Sequence, residues 1–253
     1  MVARLVELST DNQRSSPSVG VPLCEDCASG VLHELQRRLE EAHAERELLR
    51  TALRGLAALH EMSIVHRDIK PENLVLSEAG EVVVTDFGLA KRLATGELCS
   101  DVVGTAGYMS PEVLRREAYS YAADVWSLGV VLYVLLSGSP PFPFDDEKIE
   151  AELIKAGRWS FAGPNWGDVS DDAKQCVRFM MAPLAQVRWP PKRLLAHPWL
   201  ARLGGPALPR WEQASLLAQL RSFSQAGAML RVILEVGRAS PRARAAVGMK
   251  ELS

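Results

Sequence analysis

With 253 residues, 47% of them hydrophobic and 24% charged, the chain is long enough for one large domain or two small ones, and its composition is that of an ordinary globular protein. A formal net charge of −2 gives no global reason to expect nucleic acid or a membrane surface as a partner. The longest unbroken apolar run, the nine residues Leu128–Leu136 with Gly129 inside it, is far short of the ~20 that span a bilayer. Nothing after Met1 has the charged, apolar and small-residue succession of a secretory signal. Four cysteines, Cys24, Cys27, Cys99 and Cys176, are too few for a disulfide scaffold, and they point to reduced thiols in a cytoplasmic or nuclear setting. Cys24 and Cys27 have the spacing of half a zinc site, but His33 and His43 do not supply a fitting other half.

In chain order, Ala3–Leu8 and Val19–Cys24 read as two short strands separated by the polar, turn-rich stretch 11–20. Leu48, Leu49, Ala52, Leu53, Leu56, Leu59 and His60 then recur at steps of three and four, while Glu45, Arg46, Glu47, Arg50 and Arg54 fall between them. That pattern predicts a helix with one buried face. Leu74–Leu76 and Val82–Val84, with a four-residue turn between them, predict a β-hairpin. From Thr85 to Tyr119 no period emerges, and a loop of that length is usually functional. Helices are expected over 121–137, 146–156 and 170–181, with a short one ending at His197. Residues 202–210 read as a linker. Leu216, Leu220, Phe223, Leu230, Ile233 and Leu234 mark a last amphipathic helix over 211–236. The class expected is α+β, dominated by helices.

The chemistry concentrates between the long helix and the hairpin. His66-Arg67-Asp68-Ile69-Lys70-Pro71-Glu72-Asn73 is a loop pinned at both ends, and Asp86-Phe87-Gly88 follows Asn73 by thirteen residues at the far end of the hairpin. Asp86 and Asn73 offer the hard oxygen ligands that Mg²⁺ prefers. Asp68 can accept a hydroxyl proton, and Lys70 places a cation beside a transferring anionic group.

These two motifs, in this order and across a predicted hairpin, closely resemble the catalytic loop and metal-binding motif of eukaryotic protein kinases. Gly104-Thr105-Ala106-Gly107-Tyr108-Met109-Ser110-Pro111-Glu112 resembles the end of the family's activation segment, with Ser110 where alanine is usual. Asp124-Val125-Trp126-Ser127-Leu128-Gly129 resembles the start of its buried central helix, and His197-Pro198-Trp199-Leu200 the end of the domain. Lys70, two residues after Asp68, follows the serine/threonine pattern. The resemblance implies the protein-kinase-like fold, chiefly its helical large lobe, and transfer of the ATP γ-phosphate to Ser or Thr hydroxyls of protein substrates. It implies Asp68 and Lys70 as catalytic residues, Asn73 and Asp86 as Mg²⁺ ligands, and Glu25, Cys27 and Val75, with Asn73 and Asp86, as the ATP site. It further implies that Asp124 holds the catalytic loop, that Arg188 pairs with Glu112, and that His66 and Phe87 stack. Arg67 would receive an activation-loop phosphate on Ser100 or Thr95, unless Asp101 supplies a fixed negative charge there. Thr105 would contact the catalytic residues.

The resemblance covers about residues 2–200: a remnant of the small lobe and hinge over 1–27, the large lobe over 28–200, then linker and basic tail over 201–253. No G-x-G-x-x-G run and no V-A-I-K strand occurs in the 253 residues, so a shortened chain or incomplete gene model is expected, and a non-catalytic kinase-like scaffold or regulatory fragment is the alternative. Val103–Leu114 and the run 124–142 resemble the calcium/calmodulin-dependent and calcium-dependent kinases. The tail, with eight Lys and Arg against three Asp and Glu over 201–253, would suit calmodulin or a calmodulin-like domain, with Arg221, Arg231 and Arg238 facing an acidic partner. Packing of that helix on the large lobe is the other reading.

Overall fold

The computed structural model describes residues 45–77, 81–142 and 146–201, together with Ala218 and Arg221. All belong to Glu40–Ser253, the larger of two compact units, the other being Met1–Leu39. The expected strands Ala3–Leu8 and Val19–Cys24, the hinge residues Glu25 and Cys27, and most of the C-terminal helix lie outside the described residues.

The first helix, α1, is described over 45–61. Leu48, Leu49, Ala52, Leu53 and Leu56 are all buried, so the three-and-four spacing becomes the core stripe it predicts. The helix ends where Ser63 takes a positive φ of 61° and its N–H still reaches the carbonyl of His60 at 3.0 Å. That turn feeds β1, Ile64–Val65, and then the motif loop. A 3-10 turn at Pro71–Asn73 leads into β2, Leu74–Leu76, which pairs antiparallel with β3, Val82–Val84, in the register Leu74↔Val84 and Leu76↔Val82. Period-two burial holds on both strands: Leu74, Val82 and Val84 face the core while Val75 and Val83 are exposed.

The stretch 85–119, expected to be without regular structure, is tied down in several places. Phe87–Leu89 forms a 3-10 turn, β4, Lys91–Arg92, pairs antiparallel with β1, and Cys99 and Tyr119 form an isolated bridge. A short helix, α2, covers Pro111–Leu114. Two-residue strands leave no period to read, so only their partners, 26 to 28 positions away in the chain (Ile64↔Arg92, Val65↔Lys91), define them.

Helix α3, Ala122–Ser137, is apolar all round and buried along most of its length. Its closest neighbour is α5, Asp171–Met180, whose start is capped by Ser170 accepting from the Ala173 N–H. At their contact Gly129 is required by space: a Cβ there would lie 2.8 Å from both Met180 Cβ and Met181 Cγ. Helix α4, Glu147–Lys155, starts on Asp146, whose carboxylate accepts from the Lys148 and Ile149 N–H groups. The short helices α6, Pro191–Leu195, and α7, Pro198–Ala201, close the unit. Tyr133, Trp159, Phe161 and Trp166 form an aromatic cluster beside α3. Among the described residues, four short strands in two two-stranded sheets, set among these helices, make the class α+β. No helix among the described residues is long and apolar enough to cross a membrane.

One buried ion pair locks α2 to the segment before α6. Arg188 donates from both terminal nitrogens to the Glu112 carboxylate at 2.6 Å, and also to the carbonyls of Ala122, Ala182 and Pro183. Its guanidinium lies 5.0 Å from the Trp126 ring centroid. Burial pushes the Glu112 carboxyl up, but the hydrogen bonds and charge of Arg188 outweigh it and hold the group below its ordinary value. Removing one partner of such a pair typically costs about 3–5 kcal/mol, because the survivor is an uncompensated buried charge.

Candidate active site

The site starts from a buried carboxylate. Asp124, in the first turn of α3 and 1% exposed, accepts the backbone N–H of His66 at 2.9 Å through Oδ2 and that of Arg67 at 2.8 Å through Oδ1. His60, at the end of α1, meets Oδ2 with its Nε2 at 3.0 Å; a carboxylate only accepts, so that nitrogen carries the proton. The same logic fixes His66: its Nε2 lies 3.0 Å from the carbonyl oxygen of Thr85 and donates, which leaves Nδ1 to accept from the Asp68 N–H. Arg67 holds a φ of 70°, sparsely populated for a non-glycine residue. The loop therefore hangs from α3 in a strained shape held by hydrogen bonds to buried groups.

That shape gathers four of the expected residues. Thr105 donates to Asp68 Oδ1 at 2.7 Å, Lys70 Nζ lies 2.9 Å from Oδ2, and the Asn73 side-chain N–H₂ bonds the Asp68 carbonyl at 2.8 Å and its Oδ2 at 3.3 Å. Lys70 also donates to the Thr105 hydroxyl at 2.8 Å. Burial pushes the Asp68 carboxyl up, yet hydrogen bonds from Lys70 and Thr105, with the Lys70 charge, bring it below its ordinary value. Asp68 is therefore a carboxylate at neutral pH, aimed by three donors.

Asp86 reaches the same end of the hairpin through the register. Thr85 donates its N–H to the Asn73 carbonyl at 2.9 Å, so Asp86 follows one residue beyond the pair that carries Asn73. It sits at φ 61° and ψ 77°, accepts from the Gly88 N–H, and its side chain is exposed. Phe87, 48% exposed, meets the His66 ring edge-on at 5.2 Å. A cavity of about 250 Å³ lies behind it, lined by Thr51, Gly55, Leu59, Val82, Val84 and Phe87; Asp68, Lys70, Asn73 and Asp86 are not among its walls. Val75 lies on the hairpin's exposed face opposite Val83.

The activation segment is held against the loop by charge and by close contact. Arg67 donates to Asp101 at 3.0 Å and, through Nε, to the Leu89 carbonyl at 2.6 Å; Tyr119 donates its hydroxyl to the Asp101 carbonyl at 2.9 Å. Gly104, at φ 120°, lets the segment approach so closely that a Cβ would lie 2.7 Å from the Arg67 carbonyl oxygen. His60 and Arg221 escape sequence reasoning as participants. His60 reads there as one more position on the helix face, and Arg221 as a cation for an outside partner. In the structure Arg221 donates to the carbonyls of Leu74 and Pro71, at 2.6 and 3.4 Å.

The helix-rich α+β fold is that of a protein kinase large lobe, and the comparisons agree. The family model for the protein kinase domain matches residues 10–200, and the chain belongs to the protein kinase family. It is 37% identical over 218 residues to calcium-dependent protein kinase 21 of Arabidopsis thaliana, covering 83% of this chain and 40% of that kinase. It is 35% identical over 234 residues to calcium-dependent protein kinase 34 of the same plant, covering 89% and 44%. Calcium/calmodulin-dependent protein kinase type 1 of Macrobrachium nipponense is 38% identical over 159 residues, covering 61% of this chain and 46% of that kinase. The chain thus spans less than half the length of each.

Arg67 is paired with Asp101, the fixed negative charge expected there as the alternative to a phosphate on Ser100 or Thr95. Exposed pairs of this kind contribute up to about 1 kcal/mol; the Asp101 side chain is 61% exposed. In phosphate-free protein, Asp101→Asn should raise the rate of cleavage by a broad-specificity protease within 93–109 by up to about fivefold. Equal rates in the two proteins, or protection only after Thr95 or Ser100 is phosphorylated, would show that Asp101 does not do this.

Proposed function

We propose that this chain carries the catalytic large lobe of a serine/threonine protein kinase, transferring the γ-phosphate of Mg-ATP to hydroxyls of protein substrates. The observation that supports it most directly is Asp68 held as a carboxylate by Lys70, Thr105 and Asn73. The donor set fits the metal and nucleotide. Asn73 and Asp86 supply an amide and a carboxylate oxygen at one end of the hairpin. Among the described residues no group of three or more His, Cys, Asp or Glu could hold a metal alone, as suits an ion that completes its shell from phosphate and water. Val75 offers an exposed apolar floor for a base; Glu25 and Cys27, expected as hinge contacts, lie outside the described residues. Bound Mg-ATP supplies an activated phosphoryl group with its charge partly neutralised.

The rest is done by the chain's own residues. Asp68 accepts a hydrogen bond from the substrate hydroxyl and orients its oxygen toward phosphorus. As the new O–P bond forms and the bond to the leaving diphosphate breaks, the hydroxyl's acidity rises and its proton passes to Asp68. A carboxylate kept below its ordinary range is a weak base for a free alcohol, so its work is chiefly orientation, with proton uptake late. Lys70 sits where it can offset charge on the transferring group. The free, buried Cys99 and Cys176 suit a reducing cytoplasmic or nuclear setting.

Misplacing reacting groups by even ~1 Å can cost about 100-fold, and the 253 residues hold no Gly-rich loop or V-A-I-K lysine to place the phosphates. Alone, the chain should therefore phosphorylate Ser/Thr peptides poorly. Fused to a small lobe bearing both elements, it should gain about 100-fold or more, and Asp68→Asn should abolish the gain. A well-folded fusion without turnover would favour the scaffold reading. For the tail we infer calmodulin or a calmodulin-like domain as partner, supported by the names of the relatives and by the basic amphipathic pattern over 211–236. A 209–238 peptide should bind calcium-loaded calmodulin in calorimetry and weaken at least tenfold with Leu220→Asp and Phe223→Asp; no heat of binding with calcium present would end that proposal.

A further inference from the structure

Leu74 is fully buried, and its backbone cannot be satisfied by the hairpin alone. In an antiparallel pair, residues alternate between bonding across the ladder and facing away from it. Thr85 bonds the Asn73 carbonyl, so Asn73 opposite Thr85 is a bonding pair, and Leu74 opposite Val84 turns its N–H and C=O outward. The Leu74 N–H goes to the Pro71 carbonyl. The Leu74 carbonyl, on the edge of a two-stranded sheet, needs a donor from elsewhere. Arg221 provides it: Nη2 donates to that oxygen at 2.6 Å and Nε to the Pro71 oxygen at 3.4 Å. The two carbonyls flank Asn73. One cation therefore straps the turn that carries a proposed Mg²⁺ ligand and the amide that aims Asp68. Charge-assisted bonds of this type are about twice as strong as neutral ones. Arg221 lies 147 and 150 positions from its partners in the chain and beyond residue 200, where the family match ends.

We propose that Arg221 is a positioning residue for the candidate site. It holds the Pro71–Leu74 turn, so the order of the catalytic loop depends on its guanidinium staying on the Leu74 and Pro71 carbonyls. Any partner that captured the segment around 221 would withdraw the guanidinium and loosen the turn. The catalytic consequence rests on the kinase reading; the strapping itself does not.

The test is native-state hydrogen exchange on the 253-residue protein, which reads no turnover. A well-folded small-lobe fusion that never transfers phosphate would count against the kinase reading and leave this result standing. Arg221→Ala should speed exchange of the Asn73, Leu74 and Thr85 amides roughly tenfold while the amides of α3 keep their rates. Arg221→Lys, with its donors on a single nitrogen, should restore part of the protection. Unchanged rates at the three amides in Arg221→Ala would overturn the proposal. So would Arg221→Lys exchanging as fast as Arg221→Ala, since a cation at that place would then be irrelevant. A rise shared by α3 in both variants would overturn it too, because Arg221 would then be holding the core at large.

Discussion

The Asp124 carboxylate, buried in the first turn of α3, fixes where everything else in the site can be. By accepting the N–H groups of His66 and Arg67 it sets the backbone direction of the two residues before Asp68. Without it the buried His66 N–H and the half-buried Arg67 N–H would lack these partners, at a cost of about 1–3 kcal/mol for a fully buried donor. His60 completes the carboxylate's shell from α1, so the longest apolar helix, the preceding amphipathic helix and the motif loop meet at one side chain. The loop's order is thereby tied to the core's, which is the least deformable part of the molecule.

Around that anchor the charge pairs are graded by burial, and their consequences are graded with them. Glu112–Arg188 is almost completely enclosed and fixes α2 against the helical core. Asp68–Lys70 is partly open, as a pair that must face a substrate has to be. Arg67–Asp101 is the most exposed: Arg67 is held at 11% exposure while Asp101 is at 61%. Screening weakens such outer pairs most. The activation segment is accordingly the part of the site most easily loosened, while its floor stays fixed. Arg221 extends this scheme to a residue beyond the family match, its guanidinium donating to the Leu74 and Pro71 carbonyls.

Much of this was legible from the sequence wherever the signal is local. The periodic burial of α1 and the caps of α4 and α5 at Asp146 and Ser170 follow from residue patterns within one or two turns. The β2–β3 hairpin follows from two valine- and leucine-rich runs of matching length. The catalytic loop and Asp86 are recognisable because the chemistry demands specific residue types at short spacing. What escaped is joined across long stretches of chain. The β1–β4 pairing and the Cys99–Tyr119 bridge involve one or two residues each, too few to show a period. His60 bonding Asp124 looks, on the helix alone, like one more position on its face. Arg221 reads as a cation for an outside partner, because nothing near it in the chain reveals that the Leu74 carbonyl lacks a donor.

The central claim is that Asp124 carries the geometry of the catalytic loop, and Asp124→Asn tests it with almost no change in shape. The asparagine keeps one accepting oxygen but turns a donor toward one of the two N–H groups, leaving that group unsatisfied. The account predicts that exchange at the His66 and Arg67 amides accelerates roughly tenfold to a hundredfold, as a penalty of about 1–3 kcal/mol implies, while the amides of α5 are unaffected. Unchanged exchange at His66 and Arg67 in a variant that remains folded would contradict it, and would mean that the loop is held by some other contact.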